Sequence, residues 1–176
     1  MHYELLVFDW DGTLMDSAAR IVASMQAAFT ELGLPSPAAP AVRNVIGLGL
    51  THAVAELAPL QDAAMRARIT ERYRAHYLEL DDTPTPLFAG AEEVVSGLRA
   101  AGYLLAVATG KSRTGLDRAL AQSGLGAHFH ATRSADETFS KPHPQMLQEL
   151  LDELGVHPSR ALMIGDTEYD LLTAKN

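Results

Sequence analysis

Three compact apolar runs in this chain each end in a polar loop, and helical patterns lie between them. Leu5-Leu6-Val7-Phe8 runs into Asp9-Trp10-Asp11-Gly12, Leu104-Leu105-Ala106-Val107-Ala108 into Thr109-Gly110, and Ala161-Leu162-Met163-Ile164 into Gly165-Asp166. Such short runs, bounded by glycine and acids, read as strands buried on both faces. The first is read from Tyr3, and Phe129-His130-Ala131-Thr132 is a weaker fourth candidate. Between them, 91–101 carries Val94, Val95 and Leu98 before Gly102, and 113–123 carries Leu116 and Leu120 before Gly124. Met146, Leu147, Leu150, Leu151 and Leu154 precede Gly155 in the same way. Each spacing is helical and is closed by the glycine favoured past a helix end. Strands alternating with helices predict an α/β fold with a mostly parallel sheet.

One long segment breaks the alternation. From Ser17 to Asp82 the pattern is helical throughout: Ile21, Met25, Ala28, Phe29 and Leu32 form a stripe ended by Gly33, with Pro35, Pro37 and Pro40 beyond it. Further helices are read over 51–57 and 63–80, and Asp81-Asp82-Thr83-Pro84-Thr85-Pro86 reads as a linker. The expected organisation is a core of residues 1–16 and 87–176 with a helical segment, 17–86, inserted after the first strand. A chain of 176 residues is long enough for one core with such an insert and short for two independent domains.

The formal net charge of −8 argues against a nucleic-acid partner. With 47% hydrophobic and 20% charged residues the chain is globular in composition. It has no cysteine, which removes disulfides, thiolate metal sites and cysteine nucleophiles. Every apolar run falls far short of the roughly 20 residues that span a bilayer. A soluble cytoplasmic protein, monomeric or homodimeric and without a membrane partner, is expected.

In open parallel sheets ligands bind beyond the carboxyl ends of the strands, where this sequence places Asp9, Asp11, Thr109 and Asp166, with Lys141 in a further loop. Gathering Asp9, Asp11, Asp166 and Asp170 in one pocket is repulsive unless a divalent cation or a shared proton offsets it. An all-oxygen donor set points to a hard cation, Mg²⁺ first. Lys141 offers a point charge and Thr109 a hydroxyl, which complement phosphoryl oxygens.

Asp9-Trp10-Asp11-Gly12-Thr13-Leu14 resembles the first signature of the haloacid dehalogenase (HAD) superfamily. Thr109 in Ala108-Thr109-Gly110-Lys111-Ser112 resembles the second, Lys141 in Lys141-Pro142-His143-Pro144 the third, and Gly165-Asp166-Thr167-Glu168-Tyr169-Asp170 the fourth. The insert is similar to the family's helical cap, and the nearest subgroup is that of the phosphoglycolate phosphatases. The resemblance implies a Rossmann-like three-layer core carrying a helical cap. It also implies a Mg²⁺-dependent phosphatase that hydrolyses a small phosphorylated metabolite through an aspartyl-phosphate. Asp9 would be the nucleophile and Asp11 the general acid and base. Thr109, Gly110 and Lys141 would hold the phosphate. Asp9, Asp11 through its carbonyl, and Asp166 would hold the metal, with Asp170 supporting them.

Relatives in other branches are separated by single residues. Dehalogenases lack the second aspartate, and the ATPases of the superfamily carry threonine there. The lysines here, Lys111, Lys141 and Lys175, all lie outside the insert. Phosphonate-cleaving relatives need a cap lysine, and sugar-phosphate mutases of this type tend to use one; a mutase is the runner-up. A phosphoryl-accepting switch shares the clustered aspartates, Thr, Lys-Pro and Mg²⁺, but has no long helical insert; a binding module without turnover is the third reading. Within the insert, Arg43-Asn44-Val45-Ile46-Gly47 resembles the substrate-facing loop of phosphoglycolate phosphatases, which makes Arg43 the candidate for a substrate carboxylate. Related proteins continue past the helix that follows Asp166 with at least one more strand. The expectation is therefore a core lacking that C-terminal strand, with Ala161 to Ile164 as an exposed edge.

Overall fold

The computed structural model describes residues 3–176. Its centre is a parallel sheet of β1 (Leu5–Phe8), β2 (Leu104–Thr109), β3 (Ala131–Ser134) and β4 (Ala161–Ile164), ordered β3-β2-β1-β4. β1 is central: Leu5 to Phe8 pair with Leu104 to Val107 on one side and with Ala161 to Ile164 on the other. All four of its residues are buried, which accounts for the unbroken apolar run. The loops that leave β1, β2 and β4 consequently open side by side at one end of the sheet.

Successive residues of a strand point to opposite faces, and here they serve separate cores. Leu6 and Phe8 pack with Val95, Leu116 and Ala119. These come from α5 (Ala91–Ala100) and α6 (Arg113–Ser123). Leu5 and Val7 pack with Met146 and Leu150 of α7 (Gln145–Leu154) on the other face. The result is the three-layer α/β arrangement expected, with α8 (Glu168–Lys175) following β4. β4 pairs with β1 alone among the described residues and forms one edge, where Leu162 is exposed.

The segment between β1 and α5 is helical, as its pattern predicts. It comprises α1 (Ala18–Glu31), α2 (Ala39–Arg43), α3 (Leu50–Leu57) and α4 (Ala63–Ala75), the last running into a π-helical turn over 76–80. Val22, Met25, Phe29, Val42, Val54 and Ile69 form a core of their own. The short α2 was not anticipated, because its proline reads as a stop. In fact Pro40 sits in the first turn, where a missing N–H breaks no helical bond.

The chain leaves and re-enters the sheet layer at one place. Asp16 N donates to Pro86 O at 2.8 Å and Phe88 N donates to Leu14 O at 3.0 Å, around an antiparallel bridge between Met15 and Leu87.

β3 lies two residues later than the pattern Phe129 to Thr132 indicates. Phe129 is drawn to the core instead, with its ring edge-on to Phe8 and Trp10. His130 caps the neighbouring strand: its N donates to Leu105 O and its Nδ1 accepts from Leu105 N, both before β3 begins.

Candidate active site

The loop after β1 turns sharply. Leu14 N and Met15 N both donate to Trp10 O at 3.0 Å, and Gly12 N donates to Met15 O at 2.9 Å. The indole of Trp10 is buried, with its N–H on Met15 Sδ, so it anchors the turn. Gly12 has φ +84°, and a β-carbon there would lie 2.2 Å from Asp166 Oδ2. Only glycine meets both demands, the left-handed backbone and the close approach.

This turn sends the two acids of the loop to different partners. Asp9 is 1% exposed, and Lys141 Nζ lies 2.9 Å from its Oδ1. The approach is an ion contact without hydrogen-bond alignment, and neither carboxylate oxygen of Asp9 receives a hydrogen bond. Burial pushes the Asp9 carboxyl up to about 7; Lys141 opposes the rise, while Asp170 and Asp11 add to it. Lys141 is itself buried and donates to Asp170 Oδ1 at 2.5 Å. Burial alone would lower its ammonium, but the two carboxylates outweigh that and hold it above its usual range. Asp170 is buried rather than an exposed helix-end acid. Its Oδ2 accepts from Thr167 N at 3.1 Å and Thr167 Oγ1 at 2.8 Å, closing a capping box at the start of α8.

Asp11 faces the other way. Its Oδ1 accepts from Ser17 Oγ at 2.5 Å and lies 2.9 Å from Lys111 Nζ. Lys111 also donates to the hydroxyl of Tyr77 at 2.9 Å. Burial disfavours the Lys111 charge, but Asp11 and Tyr77 outweigh it and hold the ammonium above its usual range. Burial also pushes the phenols of Tyr73 and Tyr77 up, so both remain protonated.

Asp9, Asp166 and Asp170 each offer a carboxylate oxygen within 4.8 Å of the others. The exposed Asp166 is steadied by Thr13 Oγ1, which donates to its Oδ1 at 2.9 Å. Two buried Asp9 oxygens without donors, beside further carboxylates, fit a hard divalent cation. Asp11 does not join this cluster with its side chain.

Above the acids lies a cleft between the sheet end and the helical segment, lined by Asp9, Asp11, Gly110 and Lys111 below and by Val45, Ile46, Leu50, Tyr73, Arg74 and Tyr77 above. Thr109 ends β2, buried, with its hydroxyl accepting from Lys111 N at 3.2 Å. The helical segment is held down at Gly49, whose N donates to Ser140 Oγ at 2.6 Å, and at Tyr169, whose hydroxyl donates to Asn44 O. Arg43 is exposed at the end of α2 and is not among the cleft residues; Arg74 is the guanidinium that lines the cleft.

Sequence reasoning thus named the acids and Lys141 but assigned no role to Lys111, Ser17 and Tyr77. Lys111 directly follows Thr109-Gly110, a position that signals proximity to the site. Tyr77 carries no such signal, because only tertiary packing brings it there.

Known proteins resemble this chain over nearly its whole length. The family described as haloacid dehalogenase-like hydrolase matches residues 6–176. The chain is 35% identical to the probable phosphatase IndB of Dickeya dadantii, over 97% of this chain and 76% of that protein. It is 32% identical to the tyrosine-protein kinase PtkA of Mycobacterium tuberculosis, over 96% of this chain and 57% of that protein. It is also 31% identical to the phosphoglycolate phosphatase of Pectobacterium atrosepticum, over 97% of this chain and 75% of that protein. A crystal structure of a predicted phosphoglycolate phosphatase from Haemophilus somnus superposes with a TM-score of 0.87 at 26% identity, covering 99% of this chain and 82% of that one. Two signature loops lining the cleft and two meeting Asp9 beside it, on a matching fold and over nearly the whole sequence, accompany a family match that places this chain in the haloacid dehalogenase-like hydrolase family, on its phosphoglycolate phosphatase-like branch.

Proposed function

We propose that the chain is a Mg²⁺-dependent phosphatase that hydrolyses a small phosphate monoester of the phosphoglycolate kind through an aspartyl-phosphate on Asp9. The observation that carries this reading is Asp9 itself: a buried carboxylate at the floor of a cleft, 2.9 Å from Lys141, with both oxygens free of hydrogen bonds. Such an oxygen is available to attack phosphorus, which divides a slow hydrolysis into two displacements. Asp9, Asp166 and the Asp11 carbonyl would hold Mg²⁺, with Asp170 supporting through Lys141. The ion would neutralise phosphoryl charge and favour the ionised form of Asp9. Lys141, the Thr109 hydroxyl and the Gly110 backbone hold the phosphoryl oxygens on this reading, and Asp11 handles the proton of the leaving oxygen and then of the attacking water. Residues 17–86 act as a cap that excludes water when closed, with 1–16 and 87–176 as the core. A carboxylate on the substrate would meet Arg74 at the cleft or Arg43 at its approach.

The test is phosphate release from a panel that includes phosphoglycolate and an aryl phosphate, with Mg²⁺ or EDTA, for this chain and for Asp9→Asn. Turnover that requires Mg²⁺ and disappears in Asp9→Asn is expected. A folded protein that releases no phosphate from any member would remove the proposal.

A further inference from the structure

Lys111 stands outside the phosphate-binding role given to Lys141, yet it is almost as deeply buried. Its side chain is 7% exposed, and its Nζ lies 2.9 Å from Asp11 Oδ1 and 2.9 Å from the Tyr77 hydroxyl, with the Tyr77 ring centroid 4.7 Å away. Tyr77 is fixed in turn. Arg20 donates through Nε to the Tyr77 carbonyl at 3.0 Å and lies over the Tyr77 ring at 5.2 Å, while Arg118 donates to the neighbouring Leu78 carbonyl. The π-helical turn near the end of the inserted segment is thereby tied to α1 by Arg20 and to the core by Arg118, and its phenol is a fixed support for the ammonium.

Both contacts on the Asp11 carboxylate, the Ser17 hydrogen bond and the Lys111 ion pair, fall on Oδ1. An oxygen already accepting from a hydroxyl and facing an ammonium is a poor seat for a proton, so the proton is left to Oδ2. Two contacts on one oxygen also fix the plane of the carboxyl, which a bare aspartate would sample freely. We propose that Lys111, braced by Tyr77, is a positioning residue that orients Asp11 so that Oδ2 exchanges the proton with the leaving group. This rests on the phosphatase reading above. In that step a bond forms between Asp9 and phosphorus. The bond from phosphorus to the leaving oxygen breaks with its electron pair on that oxygen, and the Oδ2 proton moves to it, leaving Asp11 as the carboxylate.

The test exploits leaving-group chemistry. An alkyl oxygen needs the proton as it departs, whereas 4-nitrophenolate leaves without one. With Mg²⁺ present, Lys111→Met is expected to lower kcat/KM, which reports the step that forms the aspartyl-phosphate and not its shared hydrolysis, about 100-fold on phosphoglycolate, within the range that positioned acid–base groups supply, and far less on 4-nitrophenyl phosphate. Tyr77→Phe should show the same substrate bias at smaller size, and Lys111→Arg should recover part of the loss. In an Asp11→Asn background, Lys111→Met should add almost nothing. Equal losses on both substrates, no loss on either, or losses that add to those of Asp11→Asn would each overturn the inference. Tyr77→Phe carries the test should circular dichroism show Lys111→Met unfolded. Wild-type protein inactive on both substrates would instead remove the phosphatase reading, and this inference with it.

Discussion

Gly110 faces Leu48 so closely that a β-carbon on Gly110 would lie 2.5 Å from the Leu48 carbonyl oxygen. The two residues belong to opposite walls of the cleft, one following β2 and the other in the loop before α3. Because the obstacle is backbone, the loop must move as a unit. Gly110→Ala is therefore expected to open the cleft, raising KM about tenfold while leaving the melting temperature nearly unchanged, since the sheet and the inserted core are not touched. Steady-state kinetics beside a thermal melt check this.

Asp9 carries a stability penalty whose sign is fixed by its raised pKa. Burial lifts the group from 3.8 to about 7, so the folded state holds its proton where the unfolded chain has released it. Stability in EDTA should accordingly fall as pH rises from about 4 to about 7, by up to about 4 kcal/mol from this group. Asp9→Asn should abolish turnover, flatten that slope and melt higher than wild type at pH 8 in EDTA. Melting curves at pH 5 and pH 8 provide the comparison.

Lys141 is the only cation within salt-bridge distance of the buried carboxylates of Asp9 and Asp170 among the described residues. Lys141→Met should leave the buried Asp170 carboxylate, and the ionised fraction of Asp9, without their ammonium and destabilise the protein by about 3 kcal/mol at neutral pH. The loss should shrink in acid, where the Asp9 carboxyl binds a proton. Urea denaturation at pH 7 and pH 5 would reveal the trend.

Glu137 tests linkage away from the chemistry. Arg113 at 2.6 Å, together with Ser134, holds its carboxyl down at about 2. A depressed pKa contributes stability that is present above the unfolded value and is lost as pH falls toward 2. The pair is partly exposed, so Glu137→Gln should cost only about 1 kcal/mol at pH 7 and nothing near pH 2, with kcat unaltered.

The sheet was legible because β1 and β2 are buried on both faces, and burial on both faces writes itself as continuous apolar sequence. β4 was placed correctly despite its edge position, since Gly165 ends it. β3 was misplaced because Phe129 and His130 look strand-like, yet they serve the core and the neighbouring backbone. Asp9, Asp166 and Lys141 sit in loops whose residue types announce their chemistry. Arg43 was singled out from a local pattern, but the direction a short helix faces depends on packing that no local pattern encodes. The brace from Tyr77 through Lys111 to Asp11 joins residues 34 and 100 positions apart, and such separations leave no periodic trace.

The paired crossings at Asp16–Pro86 and Leu14–Phe88 bring the ends of the inserted helices together within hydrogen-bonding distance. A segment whose ends already meet can be lengthened, shortened or exchanged with little disturbance to the strands on either side, because the junction it must close does not change. On the phosphatase reading proposed above, the parts that would select a ligand and the parts that would react with it are free to evolve at different rates, and a new specificity would not require rebuilding the floor of the cleft.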